Sequence, residues 1–180
     1  MTNEYLPDIS FIYRCLFGIK VVMDDLDLKT LIALQQNGRI TNVDLARQLG
    51  IAPSTMLDRL RRLEEHGLIR GYRAIIDPKS VGLTLQGFVA VILTGHDKES
   101  ILSFENGIQQ IPNVRACYHI TGRFDYLLHV AARDLAHWGE VVKERIAAIS
   151  GIAKLESFLV LSEIKEDQGW PVEEEGPAAK

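Results

Sequence analysis

The chain has 180 residues, of which 47% are hydrophobic and 24% are charged, and its formal net charge is −4. This balance excludes a disordered chain and predicts one ordinary globular domain or two small ones. Its two cysteines, Cys15 and Cys117, lie far apart without metal-ligand spacing, which argues against a disulfide framework or a zinc site and favours a reducing cytoplasm.

Residues 1–22 are set apart as an extension whose status is left open. Their apolar stretch, FIYRCLFGIKVVM at 11–23, is interrupted by Arg14 and Lys20 and is shorter than the roughly 20 residues that cross a bilayer. Acidic residues precede it, where a secretory signal would be basic. We therefore expect neither a targeting segment nor a membrane span here.

Three short helices are predicted in the first half of the chain. Asp24 or Asp25 can cap the first helix, and the NGR sequence at 37–39 ends it with a glycine. Thr41 can cap the second helix, which Gly50 ends. The two caps predict where each helix begins, and the glycines predict where it stops.

The third helix is predicted from Pro53, at a first helical position, to about His66. One stripe is apolar (Met56, Leu60, Leu63), and another carries Thr55, Arg59 and Arg62. On an isolated helix such a charged stripe is most simply solvated. Here the helix follows another across a short turn with glycine, which is the helix-turn-helix arrangement.

The charge distribution also favours DNA. The window 39–73 holds seven arginines against four acidic residues, a local charge of +3, while the rest of the chain carries −7. The first turn of a helix favours phosphate, and arginine can bond guanine edges in a bidentate way. The predicted DNA-contacting residues are Arg47, Pro53, Ser54, Thr55, Asp58, Arg59 and Arg62.

The second half changes to strand periodicity. Strands are predicted at 85–94, 114–120, 125–131 and 154–161, with one helix after Asp97 and another around 138–149. The order β-α-β-β-α-β is the ferredoxin-like unit. The predicted fold class is α+β, a winged-type helix-turn-helix domain of three helices joined to a ferredoxin-like domain. The predicted boundaries are 23–68 for the first domain, 69–84 for a connector, 85–165 for the second domain and 166–180 for an acidic, poorly ordered tail.

Two blocks carry a family resemblance from about residue 23 to residue 166. The helix lengths, the exit LEEHGLIRGY at 63–72 and the DP…G connector at 77–82 occur in register, and TGRFDYLLHV follows at 121–130. The chain resembles the leucine-responsive/asparagine-responsive (Lrp/AsnC) family of prokaryotic transcription regulators. The resemblance implies a DNA-binding domain joined to a dimerising domain that senses small molecules, commonly amino acids, and assembles into dimers and larger rings.

Two features depart from the usual family pattern. Ala52 stands where members usually place a serine, and losing that helix cap would cost about 1 kcal/mol. Residues 1–22 have no counterpart, because the usual pattern starts near Met23.

The TGRFD stretch at 121–125 admits three interpretations. It can be a simple turn, in which Gly122 supplies a permissive backbone and Asp125 bonds local N–H groups. It can be a ligand loop, in which those N–H groups suit a carboxylate and Asp125 suits an ammonium group. An enzyme site is a weaker alternative, since neither a second carboxylate nor a nucleophile recurs nearby. The resemblance implies an effector cleft between subunits, lined by His119, Thr121, Gly122, Arg123, Asp125, Leu135 and Leu159.

We therefore predict a sequence-specific transcription regulator and not an enzyme. Its expected partners are double-stranded DNA, a small-molecule effector that is an amino acid or a relative of one, and further copies of itself. We expect no membrane, metal or cofactor. Two alternatives stay open: an enzyme similar to the siroheme decarboxylases, which resemble this family across both halves, and a DNA-architectural regulator without an effector.

Overall fold

The computed structural model describes residues 23–172, so the predicted extension at 1–22 and the end of the acidic tail lie outside the described residues. The described chain divides into two compact units. The first comprises residues 23–74 together with 167–172, and the second is Ile75–Glu166. Each unit has its own hydrophobic core.

Within residues 23–74 the first unit has three α-helices: α1 (Asp25–Gln36), α2 (Asn42–Leu49) and α3 (Pro53–Glu65). The predicted caps of α1 and α2 are confirmed. Asp24 and Asp27 form a reciprocal capping box at the start of α1, and Thr41 accepts the N–H of Asp44 at the start of α2. These side chains satisfy N–H groups that a first helical turn leaves unpaired.

The third helix begins at Pro53 as predicted, after Ala52, whose side chain has no polar atom to cap it. Its apolar stripe packs against the first two helices. The buried core of this unit includes Ala33, Leu45, Ala46 and Met56. Burying this stripe leaves the opposite side of α3 to the polar residues.

The second unit begins with a 3-10 turn, Lys79–Val81, after residues 70–77, which have neither helix nor strand. Its described elements follow as β1 (Leu85–Leu93), α4 (Lys98–Gln109), β2 (Val114–His119), β3 (Tyr126–Ala132), α5 (Leu135–Glu140) and β4 (Ile152–Leu159). Within these residues the strands form an antiparallel sheet in the order β2-β3-β1-β4. This confirms the ferredoxin-like topology and the α+β class.

The two faces of this sheet differ. On one face, buried side chains of β1 and β3 pack with buried side chains of the helices, among them Val89, Leu128, Phe104, Ile108 and Ile146. Alternate residues point to the other face. There the Phe88 and His129 rings stack 5.0 Å apart between centroids, and Tyr118 and Phe158 remain exposed.

The second helix of this unit differs from the regular helix expected around 138–149. A short α-helix, α5, continues as a π-helical segment, Val141–Ile146. The Ala147 N–H reaches the Val142 carbonyl, five residues back. This wider turn brings residues five apart to one side, and both Val141 and Ile146 are fully buried.

The start of the acidic tail contacts α1. Gln35 accepts the Trp170 N–H at 2.6 Å through Oε1 and donates Nε2 to the Trp170 carbonyl at 3.0 Å. Gly169 has φ +87°, and a Cβ added there would lie 2.4 Å from Gln35 Oε1. Composition predicted a solvated tail. The contact between Gln35 and Trp170 was not predicted, because composition cannot reveal a contact between residues 135 positions apart.

Candidate functional site

The polar side of α3 forms a shallow depression. Four of the predicted DNA-contacting residues line it, Thr55, Asp58, Arg59 and Arg62, around a volume of about 220 Å³. Pro53, Ser54, Thr55 and Asp58 are exposed near the start of the helix. The hydroxyls of Ser54 and Thr55 can donate and accept hydrogen bonds, as contacts to phosphate and base edges require.

Arg59 and Arg62 meet two carboxylates of α1. Arg59 Nη1 donates to Asp24 Oδ1 at 2.6 Å and also to Asp27 Oδ1. Arg62 Nη2 lies 2.8 Å from Asp27 Oδ1 and 2.6 Å from Oδ2. The two aspartates are three residues apart and so are the two arginines, so one turn of each helix supplies both partners.

This network shifts the pKa values of Asp24 and Arg59. Burial opposes ionisation of Asp24, but the hydrogen bonds from Arg59 and the Asp27 N–H, with the charges of Arg59 and Arg62, lower its pKa overall. Burial likewise disfavours charge on Arg59, yet its bonds to Asp24 and Asp27 raise its pKa. The charged forms of Asp24 and Arg59 therefore stabilise each other.

The side chain of Arg59 turns toward α1 and does not project outward from α3. Its side chain is 14% exposed, against 44% for Arg62, and the fully buried Asp27 holds its guanidinium. Helical spacing placed Thr55, Arg59 and Arg62 on one stripe but could not say where long side chains turn. The matched spacing of Asp24 with Asp27 and of Arg59 with Arg62 was the available signal.

The other predicted DNA-contacting residues lie on α2 and α3, together with one residue that was not predicted. Arg47 is exposed on α2 and pairs with Asp44 at 2.8 Å. Asp58 lies 4.0 Å from Arg61. Asn42, which the sequence analysis did not single out, donates Nδ2 to the Pro53 carbonyl at 2.9 Å and so ties the start of α2 to the start of α3.

In the second unit the TGRFD loop joins β2 to β3. Thr121, Gly122 and Arg123 are exposed, and Gly122 has φ +121°, a conformation that favours glycine. Arg123 Nη2 lies 2.7 Å from Glu156 on β4, and the Arg123 guanidinium sits over the Phe124 ring. The permissive turn expected at Gly122 is confirmed.

Asp125 has a different turn role from the one expected. Its carboxylate accepts the N–H of Leu93 at 2.8 Å and meets His96 Nε2 at 2.9 Å. Both partners lie in or just after β1, whereas local bonding within its own loop was expected. The bond from the Leu93 N–H, followed by that from His96, lowers the pKa of Asp125 despite partial burial. His96 is a neighbour that the sequence analysis missed.

The other predicted effector residues are divided between the two ends of the sheet. His119 is close to the loop and stacks on Tyr126 at 4.8 Å between ring centroids. Leu159 pairs with Gly87 near the start of β1, while Asp125 bonds Leu93 at the end of β1. At about 3.3 Å per residue, these positions are roughly 20 Å apart. Leu135, which is exposed, follows the far end of β3, so one chain does not bring all seven residues together.

Within residues 23–172, none of the helices is long and apolar enough to cross a membrane. Within the same residues, no group of three or more histidine, cysteine or acidic side chains is arranged to hold a metal ion.

Both units match known protein families. Residues 23–70 match the family model described as winged helix-turn-helix DNA-binding, and residues 86–170 match the Lrp/AsnC ligand binding domain. The pair defines a class of protein, the DNA-binding transcriptional regulators that carry a separate ligand-binding domain.

Relatives extend this match over most of the chain. The HTH-type transcriptional regulator AldR of Mycolicibacterium smegmatis is 41% identical over 143 residues, which cover 79% of this chain and 84% of the relative. The leucine-responsive regulatory protein of Escherichia coli K12 is 31% identical, over 80% and 88% of the two chains. A Neisseria meningitidis transcriptional regulator, solved as an L-Met complex, is 36% identical with a TM-score of 0.76, over 80% and 93% of the chains.

The chain belongs to the Lrp/AsnC family of transcriptional regulators. It is a DNA-binding regulator and not an enzyme, because both units match regulator domains and relatives that cover most of the chain are named as transcriptional regulators. The alternative of an enzyme similar to the siroheme decarboxylases is therefore not favoured.

Proposed function

We propose that the protein is a sequence-specific, homo-oligomeric regulator that works in the cytoplasm and responds to an amino acid, or a relative of one, bound where subunits meet. This proposal rests on the distance between the predicted effector residues within one chain. The loop at 121–125 and Leu159 lie at opposite ends of one sheet. A single site that contains both needs a second subunit.

The loop has the chemistry for both ends of an amino acid. Exposed backbone beside Gly122 and the exposed Arg123 suit a carboxylate. Asp125 already accepts two hydrogen bonds, but a carboxylate can accept about four, so an ammonium group can still bind. The L-Met complex of the Neisseria meningitidis regulator supports an amino acid as the ligand class.

The open face of the sheet suits a contact between copies of the chain. Tyr118 is 54% exposed and Phe158 is 47% exposed, and Phe88 and His129 lie between them on the same face. Exposed aromatic side chains that lie together mark interaction surfaces. A two-fold pair would present two α3 helices to two half-sites, so the operator should be a pseudo-palindrome.

The effector can act only through unequal affinity. It must bind one assembly, or one spacing of the paired α3 helices, more tightly than another. Typical coupling changes DNA affinity by roughly 5- to 150-fold, and DNA must change effector affinity by the same factor.

Selection of bound genomic fragments, with and without a mixture of the twenty amino acids, tests the proposal. The selected site is then titrated by fluorescence anisotropy with each amino acid alone, and light scattering reports the assembly. We expect one or a few amino acids to change both affinity and mass. A flat response to all twenty would refute the effector, and equal binding to selected and random DNA would refute sequence specificity.

A further inference from the structure

We propose that Arg59 and Asp27 position the recognition helix α3, and that Arg59 does not itself read DNA. The proposal rests on specific DNA binding by this unit. It assigns Arg59 a task different from that of Arg62, although both belong to the same helical stripe.

The four charges form a network in which both oxygens of Asp27 and one oxygen of Asp24 accept hydrogen bonds. Asp27 Oδ1 accepts from Arg59 and Arg62. Asp27 Oδ2 accepts from Arg62 at 2.6 Å and from the Asp24 N–H at 3.1 Å. Asp24 Oδ1 accepts the Asp27 N–H at 2.8 Å and Arg59 at 2.6 Å. Two negative and two positive charges balance, as a buried charge such as Asp27 requires.

Arg59 cannot leave this network without a large cost. It is the arginine that bridges both carboxylates, and its side chain is only 14% exposed. Reaching a base would remove a guanidinium partner from two carboxylates, Asp24 and the fully buried Asp27, whereas Arg62 contacts Asp27 alone. Arg62 is three times more exposed, and its departure would leave Asp27 paired with Arg59.

The network fixes the rotation of α3 about its own axis. Asp24 and Asp27 are anchored to the backbone of α1 through the capping box, so their carboxylates have fixed positions. Attachment at two points one turn apart, Arg59 and Arg62, prevents α3 from turning against α1. Ser54, Thr55 and Asp58 then face outward, and Arg62 is the member free to exchange Asp27 for a DNA phosphate.

Arg59→Gln, Asp27→Asn and the double variant test this in the full chain. Each is assayed at a temperature where circular dichroism shows it folded, on the selected operator, on random DNA and on operators with single base-pair changes. We expect each single variant to weaken operator binding about tenfold, with little change on random DNA. The double variant should be no weaker than the singles, because either change breaks the same unit. The order of base preferences should stay that of the wild type.

Two further variants separate the roles. Arg59→Lys keeps the charge but cannot bridge two carboxylates in the same way, so operator affinity should recover in part with unchanged base preference. Arg62→Gln should weaken operator and random DNA alike and lower the salt dependence of binding. The matched control Arg61→Gln removes an exposed arginine of the same helix and should leave the ratio of operator to random binding unchanged.

Three results would overturn the proposal. Loss of preference at one base-pair position in Arg59→Gln or Arg59→Lys, but not in Asp27→Asn, would make Arg59 a base reader. Wild-type operator affinity in folded Arg59→Gln would make its role one of stability alone, and additive losses in the double variant would refute a shared unit. Failure of the wild type to prefer any DNA would instead refute the proposed specificity, and that is measured first.

Discussion

At the scale of single residues, Asp125 combines an observed structural contact with a proposed effector role. Its carboxylate joins the start of β3 to the end of β1 through the Leu93 N–H. Its backbone N–H also bonds the Val91 carbonyl at 2.9 Å. A structural role for Asp125 is therefore present in the single chain, and its proposed effector role is additional.

The structural role of Asp125 predicts a pH dependence of stability. Its pKa is lowered in the folded state, so its contribution is full above the unfolded value of about 3.9 and is lost as the pH falls through the folded pKa. Asp125→Asn should lower the free energy of unfolding by about 1 kcal/mol at pH 7. Urea denaturation of both proteins from pH 7 to pH 3 should show this difference shrinking below about pH 4.

The effector role of Asp125 predicts a separate defect. Asp125→Asn keeps an acceptor oxygen but removes the charge that an ammonium group needs, so the response to the effector should weaken at least about tenfold while effector-free DNA binding stays intact. Anisotropy titration measures both. Asp97→Asn, at an exposed cap of α4 in the same unit, is the matched control. A wild-type response in Asp125→Asn would move the ligand site elsewhere.

At the scale of elements, the first turn of α3 lacks a hydrogen bond from a capping side chain. Ala52 cannot accept an N–H of the first helical turn, whereas Thr41 does so at α2. Ala52→Ser should raise the free energy of unfolding by about 1 kcal/mol. Urea denaturation measures the change, and Ala52→Val, which adds bulk without an acceptor, should give no such gain. Equal effects of the two substitutions would argue against capping.

A second prediction at this scale concerns the contact between the tail and α1. Gly169→Ala would place a Cβ against Gln35 Oε1 and strain a backbone with φ +87°. The Trp170 amide should then lose its bond to Gln35 and exchange its hydrogen faster. Gln35→Ala should accelerate the same amide, and Gln36→Ala, its exposed neighbour, should not. Hydrogen exchange resolved to that amide measures the effect, and an unchanged rate in Gly169→Ala would contradict the contact.

At the scale of the whole molecule, the proposed contact between copies of the chain is the open face of the sheet. Phe158→Glu would place a charge among exposed aromatic groups, so we expect the dimer to dissociate at least about tenfold more readily. Light scattering over a range of protein concentrations measures this. Ile164→Glu alters a more exposed apolar residue outside β4 and should leave the mass unchanged. An intact dimer in Phe158→Glu would place the interface on another surface.

The sequence alone determined the order and the bounds of the helices and strands to within a few residues. It could do so because the signals are local. Asp24 and Thr41 cap the helices that follow them, Pro53 begins α3, and apolar and polar residues alternate along β2. Local signals of this kind act between residues two to four positions apart, so they can be read without knowing the fold.

Only the tertiary structure decided which polar groups meet. Arg59 turns inward because Asp27, 32 residues earlier, lies beside it. Asp125 bonds Leu93, also 32 residues away, and Gln35 bonds Trp170 across 135 residues. A long or charged side chain takes the direction in which its charge and hydrogen bonds are best satisfied. That direction depends on partners that folding brings near, and no period along the chain records them.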